Sequence, residues 1–457
     1  MNILKSMYEN VKSCVKMNYI DEDGNMIYNI SNMFSCLNGL REGDILSPIL
    51  FSLYVNDLKS YLEENNCEGV TVEHHNDNDE IFYLKMLMCM YADDTVLFAN
   101  TKPQLQKILN IYNTYCKKWK LNINVNKTKI VMFGRKRNYK FTLDNETVDV
   151  VDNFKYLGVI FSRNGKFIEA MKENIKKSRL ALYSLRREFK EKCVPIDCQI
   201  DIFEKTIEPI LLYGSEIWGF ENTSIIDNFY LKSLKQLLSL RKTTPNFMVY
   251  GEIGKYPLSV KIKMRMIKYA TKLQEGEGNK LSEIIFNIMT NDDKQGITYK
   301  LISGVKTILN DTGFTFLVNQ LHNIKPHIKA IEQILIDQSK QTLNTDNSKC
   351  TIYNYIKDKP GMSYYLKCLE DQHTNALLKF RTSNHKLPVE VGRYKNIPRE
   401  DRLCTNCLKM GDEYHFIFEC SKFHRARHKL HRHDLYKQTK YDEVLFAYEH
   451  RQQKTIT

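Results

Sequence analysis

Leu84 to Ala99 read LKMLMCMYADDTVLFA, two apolar, β-compatible runs that meet at Asp93 and Asp94. Runs of this kind joined by turn-favouring residues make a β-hairpin with both carboxylates at its tip. Neighbouring carboxylates repel each other unless cations sit there, and such hard oxygen donors suit Mg²⁺ or Mn²⁺. The pair is therefore a candidate two-metal site, where one ion activates a hydroxyl and the other stabilises a leaving oxygen. An ordinary Asp-Asp turn is the plain alternative, because Asp favours turns in any protein.

Upstream of the hairpin runs Gly39-Leu40-Arg41-Glu42-Gly43-Asp44-Ile45-Leu46-Ser47-Pro48, followed by ILFSLYVNDL. Ser47 suits an N-cap and Pro48 the first helical position, so a glycine-punctuated loop feeds an apolar helix. Gly39 and Gly43 would let backbone approach a substrate, and Arg41 can meet a phosphate. Downstream, Leu105, Ile108, Leu109, Tyr112, Cys116 and Trp119 mark another helix. LNINVNKTKIVMF (Leu121 to Phe133) then alternates like a strand, a turn and a second strand, with Lys127 and Lys129 at the turn. A lysine there can protonate a leaving group, or simply be solvated. Phe154-Lys155-Tyr156-Leu157-Gly158 predicts a compact turn.

The whole chain has 457 residues and a formal net charge of +13, with 42% apolar and 26% charged residues. That composition is globular, and the length accommodates about three domains. The positive balance favours a polyanionic partner, nucleic acid being the commonest, although solvated lysines alone also produce it. The uncharged apolar run Ile45 to Asn56 has 12 residues, short of the roughly 18 that a membrane span needs. Lys5, Glu9 and Lys12 interrupt the N-terminus, so neither a membrane span nor a secretory signal is expected. The 12 Cys are scattered except near residue 410, which fits a reducing, intracellular compartment.

From Phe167 onward the pattern turns helical. Ile168, Met171, Ile175, Leu182, Leu185 and Phe189 form one stripe, Ile196, Ile200, Phe203, Ile207 and Ile210 a second after Pro195, and Ile225 to Leu240 predicts a third helix. Residues 292–349 are polar and poor in signals, and Gln338 to Ser348 reads as a loop or linker.

Taken in order and spacing, these pieces resemble the reverse transcriptase domain of non-LTR (LINE-type) retrotransposons. GLREGDILSPILFSLYVNDL is similar to that family's template- and nucleotide-contacting loop and helix, and YADD (Tyr91, Ala92, Asp93, Asp94) to its metal-binding hairpin. LNINVNKTKIVMF and FKYLGVIF are similar to its lysine-bearing and primer-grip segments. The resemblance implies Asp93 and Asp94 as catalytic metal ligands, Lys127 as the lysine, Gly39, Arg41 and Gly43 as nucleotide or template contacts, and Tyr156, Leu157 and Gly158 as primer contacts. It also implies an RNA template, a DNA primer or target, deoxynucleotides, and action in the nucleus. ILLYGSEIWGF (Ile210 to Phe220), RKTTPNFMVYGEIGKYPL (Arg241 to Leu258) and LLKFRTSNHKLPVEVGRY (Leu377 to Tyr394) are similar to later stretches of the same polyproteins.

One departure matters. The family carries a third metal-binding aspartate on a strand before the glycine loop, in an apolar-Asp-x-x-x-aromatic-Asp setting, and nothing here fits it. The acidic residues before Gly39 are Glu9, Asp21, Glu22 and Asp23, the last three in a DEDGN turn after a helical segment ending near Tyr19. The expectation is an N-terminally truncated copy, inactive alone. A non-enzymatic nucleic-acid-binding remnant and a product that does not fold stably are the alternatives.

Cys404-x2-Cys407-x7-His415-x4-Cys420 can close a tetrahedral Zn²⁺ site, structural because four protein ligands leave no open position. A chance grouping of reduced thiols with a core His is the alternative. The cluster also resembles the zinc-knuckle-like ending of these retrotransposon proteins. Lys422, Arg425, Arg427, Lys429 and Arg432 would add phosphate contacts, and His424, His428, His431 and His433 read as a solvated or phosphate-facing helix. The expected fold is α+β: a partial right-hand polymerase palm with fingers (1–161), a helical thumb and connection (162–291), a polar variable segment (292–349) and a small C-terminal zinc-knuckle-like helical module (350–457).

Overall fold

The computed structural model describes residues 6–425 except 7, 9–10, 21–24, 37–38, 40–42, 76–80, 136, 279, 319, 344–352, 354–356, 358–360 and 369–370. It is a mixture of many helices and small antiparallel sheets, five of two strands and one of three among the described residues. Two compact units divide it, one within 1–74, 80–130 and 137–150, the other within 75–79, 131–136 and 151–457.

In the first unit, β1 (Lys12–Ser13) pairs with β4 (Phe34–Ser35) and β2 (Lys16–Ile20) with β3 (Met26–Ile30). The helix expected to end near Tyr19 is thus a strand: Lys16 and Asn18 alternate with Met17 and Tyr19, a period of two rather than 3.6. Glu9 and the Asp21 group lie outside the described residues. Helices α1 (Ser47–Tyr54) and α2 (Leu58–Glu64) precede the hairpins β5 (Val70–His75) with β6 (Ile81–Met86) and β7 (Met88–Tyr91) with β8 (Asp94–Leu97). The cap of α1 falls one residue earlier than expected, at Leu46, and no side chain caps the helix; Asp44 Oδ1 accepts from the Leu46 N–H at 3.1 Å, in the turn that leads into it.

Helix α3 (Lys102–Lys118) opens with a reciprocal capping box between Thr101 and Gln104 and closes with Lys117 and Lys118, which suit the negative end of its dipole. Its buried Ile108, Tyr115 and Cys116 pack with Leu58 and Leu62 of α2, Cys67 and Leu87. The strands β9 (Lys129–Val131), β10 (Phe141–Leu143) and β11 (Glu146–Val151) form the three-stranded sheet. The first strand expected in LNINVNKTKIVMF does not form. Asn124 takes the Lys127 N–H on its carbonyl and its side-chain oxygen, each at 3.1 Å, a turn that competes with any ladder.

The second unit starts with the hairpin β12 (Asn153–Tyr156) and β13 (Val159–Ser162). Helices α4 (Ile168–Glu191), α5 (Ile196–Leu211), α6 (Ser215–Trp218), α7 (Ser224–Leu237), α8 (Asn246–Ile253) and α9 (Leu258–Gln274) follow. Met171, Leu182, Phe189, Ile196, Ile200, Phe203 and Ile207 of the two foreseen stripes are buried together. Helix α9 is buried on two sides: Leu258 and Ile262 enter this core, whereas Met264, Ile267 and Ala270 enter a second.

That second core contains α10 (Lys280–Lys294), α11 (Lys300–Asp311) and α12 (Ile328–Leu343), so the signal-poor segment is largely helical. Gln338 to Leu343 belong to α12 rather than to a linker, and 344–348 lie outside the described residues. Next come α13 (Tyr365–Cys368), α14 (Asp371–Arg381) and α15 (Pro388–Tyr394), then the Cys/His loop. Among the described residues no helix is long and apolar enough to cross a membrane.

Candidate functional site

The register of β7 and β8 decides what the acidic hairpin presents. Met88 pairs with Leu97, Met90 with Thr95, and Tyr91 with Asp94, leaving Ala92 and Asp93 as the turn. Paired residues share a face, so Met88, Met90, Thr95 and Leu97 lie together. Met88, Met90 and Leu97 pack on the α2–α3 core, and Thr95 meets the Tyr112 hydroxyl of α3 at 3.3 Å. Tyr91 and Asp94 must then lie on the opposite face, and Tyr91, Ala92, Asp93 and Asp94 are all exposed. Ala92 sits at φ 51°, the positive angle that a two-residue hairpin loop demands. The two oxygen-donor side chains suit a hard cation, but among the described residues no third Asp, Glu, His or Cys converges with them.

Lys127 is exposed in the turn before β9 and makes no side-chain hydrogen bond or ion pair among the described residues. Lys129 is engaged, its ammonium 2.6 Å from Asp149. Gly39 and Gly43 hold φ 92° and 80°, conformations that Cβ-bearing residues resist. Arg41 lies outside the described residues.

In the second unit, Leu157 (φ 45°) and Gly158 (φ 83°) form the two-residue loop between β12 and β13. Positive φ at both positions fits a type I′ turn. Tyr213 clamps it: its hydroxyl donates to the Leu157 carbonyl at 2.8 Å, and a Cβ on Gly158 would come within 2.8 Å of its ring. The Tyr213 carbonyl in turn accepts from Asn174 Nδ2 at 3.0 Å and Trp218 Nε1 at 2.9 Å. Nothing in the sequence ILLYGSEIWGF singles out Tyr213; its tie to the 157–158 turn arises only on packing.

The Cys/His loop gathers its four members closely. One ligand atom from each of Cys404, Cys407, His415 and Cys420 lies within 4.8 Å of all the others. The Cys420 sulfur is 3.8 Å from that of Cys404 and 3.7 Å from that of Cys407. Four thiolates about 2.3 Å from a tetrahedral Zn²⁺ would stand about 3.8 Å apart, so these edges fit zinc. His415 Nδ1 donates to the Glu419 carboxylate at 3.2 Å, while its buried Nε2 has no hydrogen-bond partner. An orphaned ring nitrogen beside three sulfurs, with the other nitrogen fixed by a carboxylate, is the arrangement of a metal ligand.

Backbone N–H groups of Asn406 and Cys407 help to hold the Cys404 thiol below its usual value. Hydrogen bonds from the Ser421 and Asn406 side chains draw Cys407 down to about 6. Burial pushes Cys420 up. Burial also opposes a charged His415, yet its contacts with Cys404 and Glu419 leave its pKa raised. Of the flanking basic run, Lys422 and Arg425 fall within the described residues together with His424; Arg427, Lys429, Arg432, His428, His431 and His433 lie outside them.

Residues 4–161 match the family model of reverse transcriptase (RNA-dependent DNA polymerase). The chain is similar to the RNA-directed DNA polymerase from mobile element jockey of Drosophila melanogaster, 22% identical over 210 residues, covering 44% of this chain and 21% of that protein. It is also similar to a Drosophila melanogaster protein described as a probable RNA-directed DNA polymerase from transposon BS, 25% identical over 213 residues, 43% of this chain and 22% of that protein. The chain thus spans about a fifth of the length of these curated relatives, 21% and 22%.

Proposed function

Over residues 4–161 the chain belongs to the reverse transcriptase family of non-LTR retrotransposons, and from that premise we propose that this domain extends a primer 3′-hydroxyl with deoxynucleotides on an RNA template. The observation that carries the reading is the YADD hairpin, whose register turns Asp94 away from the core and leaves Asp93 in the exposed loop. Mg²⁺ or Mn²⁺ bound there would supply the charge that lowers the pKa of the attacking hydroxyl and stabilises departing pyrophosphate. Asp93 and Asp94 are its proposed ligands. Tyr91 and Ala92 shape the turn beside the nucleotide, Lys127 protonates the pyrophosphate, and Gly39, Arg41 and Gly43 contact template or nucleotide. Tyr156, Leu157 and Gly158 hold the primer, the helices of the second unit serve as thumb and connection, and Cys404, Cys407, His415 and Cys420 hold a structural Zn²⁺.

The test is primer extension on an RNA template with Mg²⁺ or Mn²⁺, comparing the chain with Asp93→Ala. Incorporation that Asp93→Ala abolishes supports the assignment; equal incorporation by both overturns it. A second reading, a non-enzymatic nucleic-acid-binding protein, is favoured by the want of a third converging ligand among the described residues. Steeply salt-dependent binding without any incorporation would decide for it.

A further inference from the structure

Two stretches that the polymerase reading leaves without a role, Arg241 to Leu258 and Leu377 to Tyr394, meet in the second unit. A cleft of about 90 Å³ lies between the loop Thr243–Pro245, the turn Ser383–Asn384 and the Glu390, Arg393 and Tyr394 side of α15. Its walls are already saturated. Asn384 Oδ1 accepts from the Arg241 N–H and from the Thr244 hydroxyl, each at 3.0 Å, and Nδ2 donates to the Thr382 carbonyl at 2.8 Å. The buried Lys235 ammonium donates to the carbonyls of Lys242 (2.9 Å) and Thr244 (2.7 Å) and to Asn246 Oδ1 (2.8 Å). The loop is thereby held in one shape before any ligand arrives, which reduces the ordering cost of binding.

What stays open at the mouth is almost entirely donor. The Arg241 guanidinium stands 5.3 Å from the centroid of the Tyr394 ring, which is 54% exposed. Thr243 and Tyr394 share a hydroxyl contact of 3.1 Å, Ser383 lines the cleft, and the exposed Lys242 is the chain neighbour of Thr243. The one acid, Glu390, is buried and neutralised by Arg393 at 2.9 Å. Cations and hydroxyls beside an exposed aromatic face are the elements that take a phosphate and stack a base. We propose that this cleft binds single-stranded nucleic acid, with a phosphate between Arg241, Lys242 and the hydroxyls and a base on Tyr394.

The Cys/His loop braces the site. Arg402 donates from Nε to the Ile397 carbonyl at 2.9 Å and from NH1 to the Val389 carbonyl at 3.2 Å, wrapping the end of α15. A Cβ on Gly392 would come within 2.5 Å of Arg402, and one on Gly411 within 2.5 Å of Pro388, so loop and helix are in close contact. The segment from Arg402 to Gly411 carries Cys404 and Cys407, which places the proposed metal site next to the cleft but outside its lining.

The experiment is fluorescence anisotropy of the full chain with short labelled single-stranded RNA and DNA, read without Mg²⁺ or deoxynucleotides. Its outcome is therefore independent of whether the chain polymerises. Tyr394→Ala is expected to weaken binding at least about fivefold, and Tyr394→Phe to bind nearly as wild type. Lys242→Gln and Arg241→Gln are each expected to lower the salt slope by about 0.7. Lys242 and Tyr394 are exposed, so unchanged thermal midpoints certify folding of those variants. Equal affinity and equal slopes for wild type, Tyr394→Ala and Lys242→Gln would overturn the proposal. So would displacement of wild type by inorganic phosphate with no effect of Tyr394→Ala, because the cleft would then be a site for a free anion.

Discussion

On the proposal that the Cys/His cluster holds Zn²⁺, Glu419→Gln is expected to loosen that ion about tenfold while leaving the stoichiometry at one ion per chain. Glu419 touches none of the sulfurs; it accepts from His415 Nδ1 at 3.2 Å and so fixes which ring nitrogen faces Cys404, Cys407 and Cys420. Loss of such an outer partner costs roughly 10- to 100-fold in metal affinity. Two features of this site place the effect at the lower end. The Glu419 side chain is 38% exposed, and it is shared with the Lys409 ammonium at 3.4 Å. Solvent and Lys409 therefore already weaken its hold on the ring, and tenfold, about 1.4 kcal/mol, is the magnitude to expect. Competition against a chromogenic chelator at fixed pH and salt measures it. Cys420→Ser, which removes a donor only 1% exposed, is the companion and should abolish stoichiometric binding. Unchanged affinity in Glu419→Gln, or one ion retained by Cys420→Ser, would refute the ligand assignment.

Arg381→Met is expected to destabilise the second unit by about 3–5 kcal/mol, because it strands a buried charge. Glu252, fully buried on α8, is held by Arg381 NH2 at 3.1 Å and by the Tyr365 hydroxyl at 2.5 Å. Denaturant midpoints test it, and adding Glu252→Met should recover most of the loss. Tyr213→Phe should cost about 1 kcal/mol through the lost bond to the Leu157 carbonyl, read as faster hydrogen exchange confined to the hairpin of residues 153–162. Gly158→Ala should cost more, about 1–3 kcal/mol, since a Cβ there meets both a positive φ and the Tyr213 ring; exchange rates no faster than in Tyr213→Phe would contradict the clamp.

Much of the site was legible because its signals are local. The acidic hairpin is written in sixteen consecutive residues, two apolar runs meeting at Asp93 and Asp94; which face Asp94 takes follows from the register, since the Ala92-Asp93 turn reverses the parity that simple alternation with Met88 and Met90 would give it. The stripes of α4 and α5 were equally readable, down to Met171 and Phe203 in the core. Sequence and structure part where two local preferences compete. Lys16 to Ile20 has residues that fit helix or strand, and pairing with Met26–Ile30 decided it. Asn124 supports a turn with its own side chain, which ended the strand expected before Lys127. The segment after residue 292, read as poor in signals, does carry a helical stripe at Ile302, Val305, Ile308 and Leu309, spaced 3, 3 and 1; its polar surroundings masked it, and the stripe is buried against the second face of α9.

The cleft beside Tyr394 shows a different limit. Asn384 joins Arg241 and Thr244 across 143 and 140 residues, and neither stretch on its own carries a spacing that predicts a ligand. The Cys/His cluster needs no such long reach, since all four donors lie between Cys404 and Cys420 and two of their S–S edges, 3.8 and 3.7 Å, have the length a tetrahedral zinc requires. That difference sets the order in which the parts depend on one another. A metal assembled by local chain can hold Arg402 and Gly411 against α15, whereas the cleft cannot form until α15 is docked against the Thr243 loop. On the proposed zinc assignment, chelation should therefore weaken oligonucleotide binding through the position of Tyr394, even though none of Cys404, Cys407, His415 and Cys420 lines the cleft.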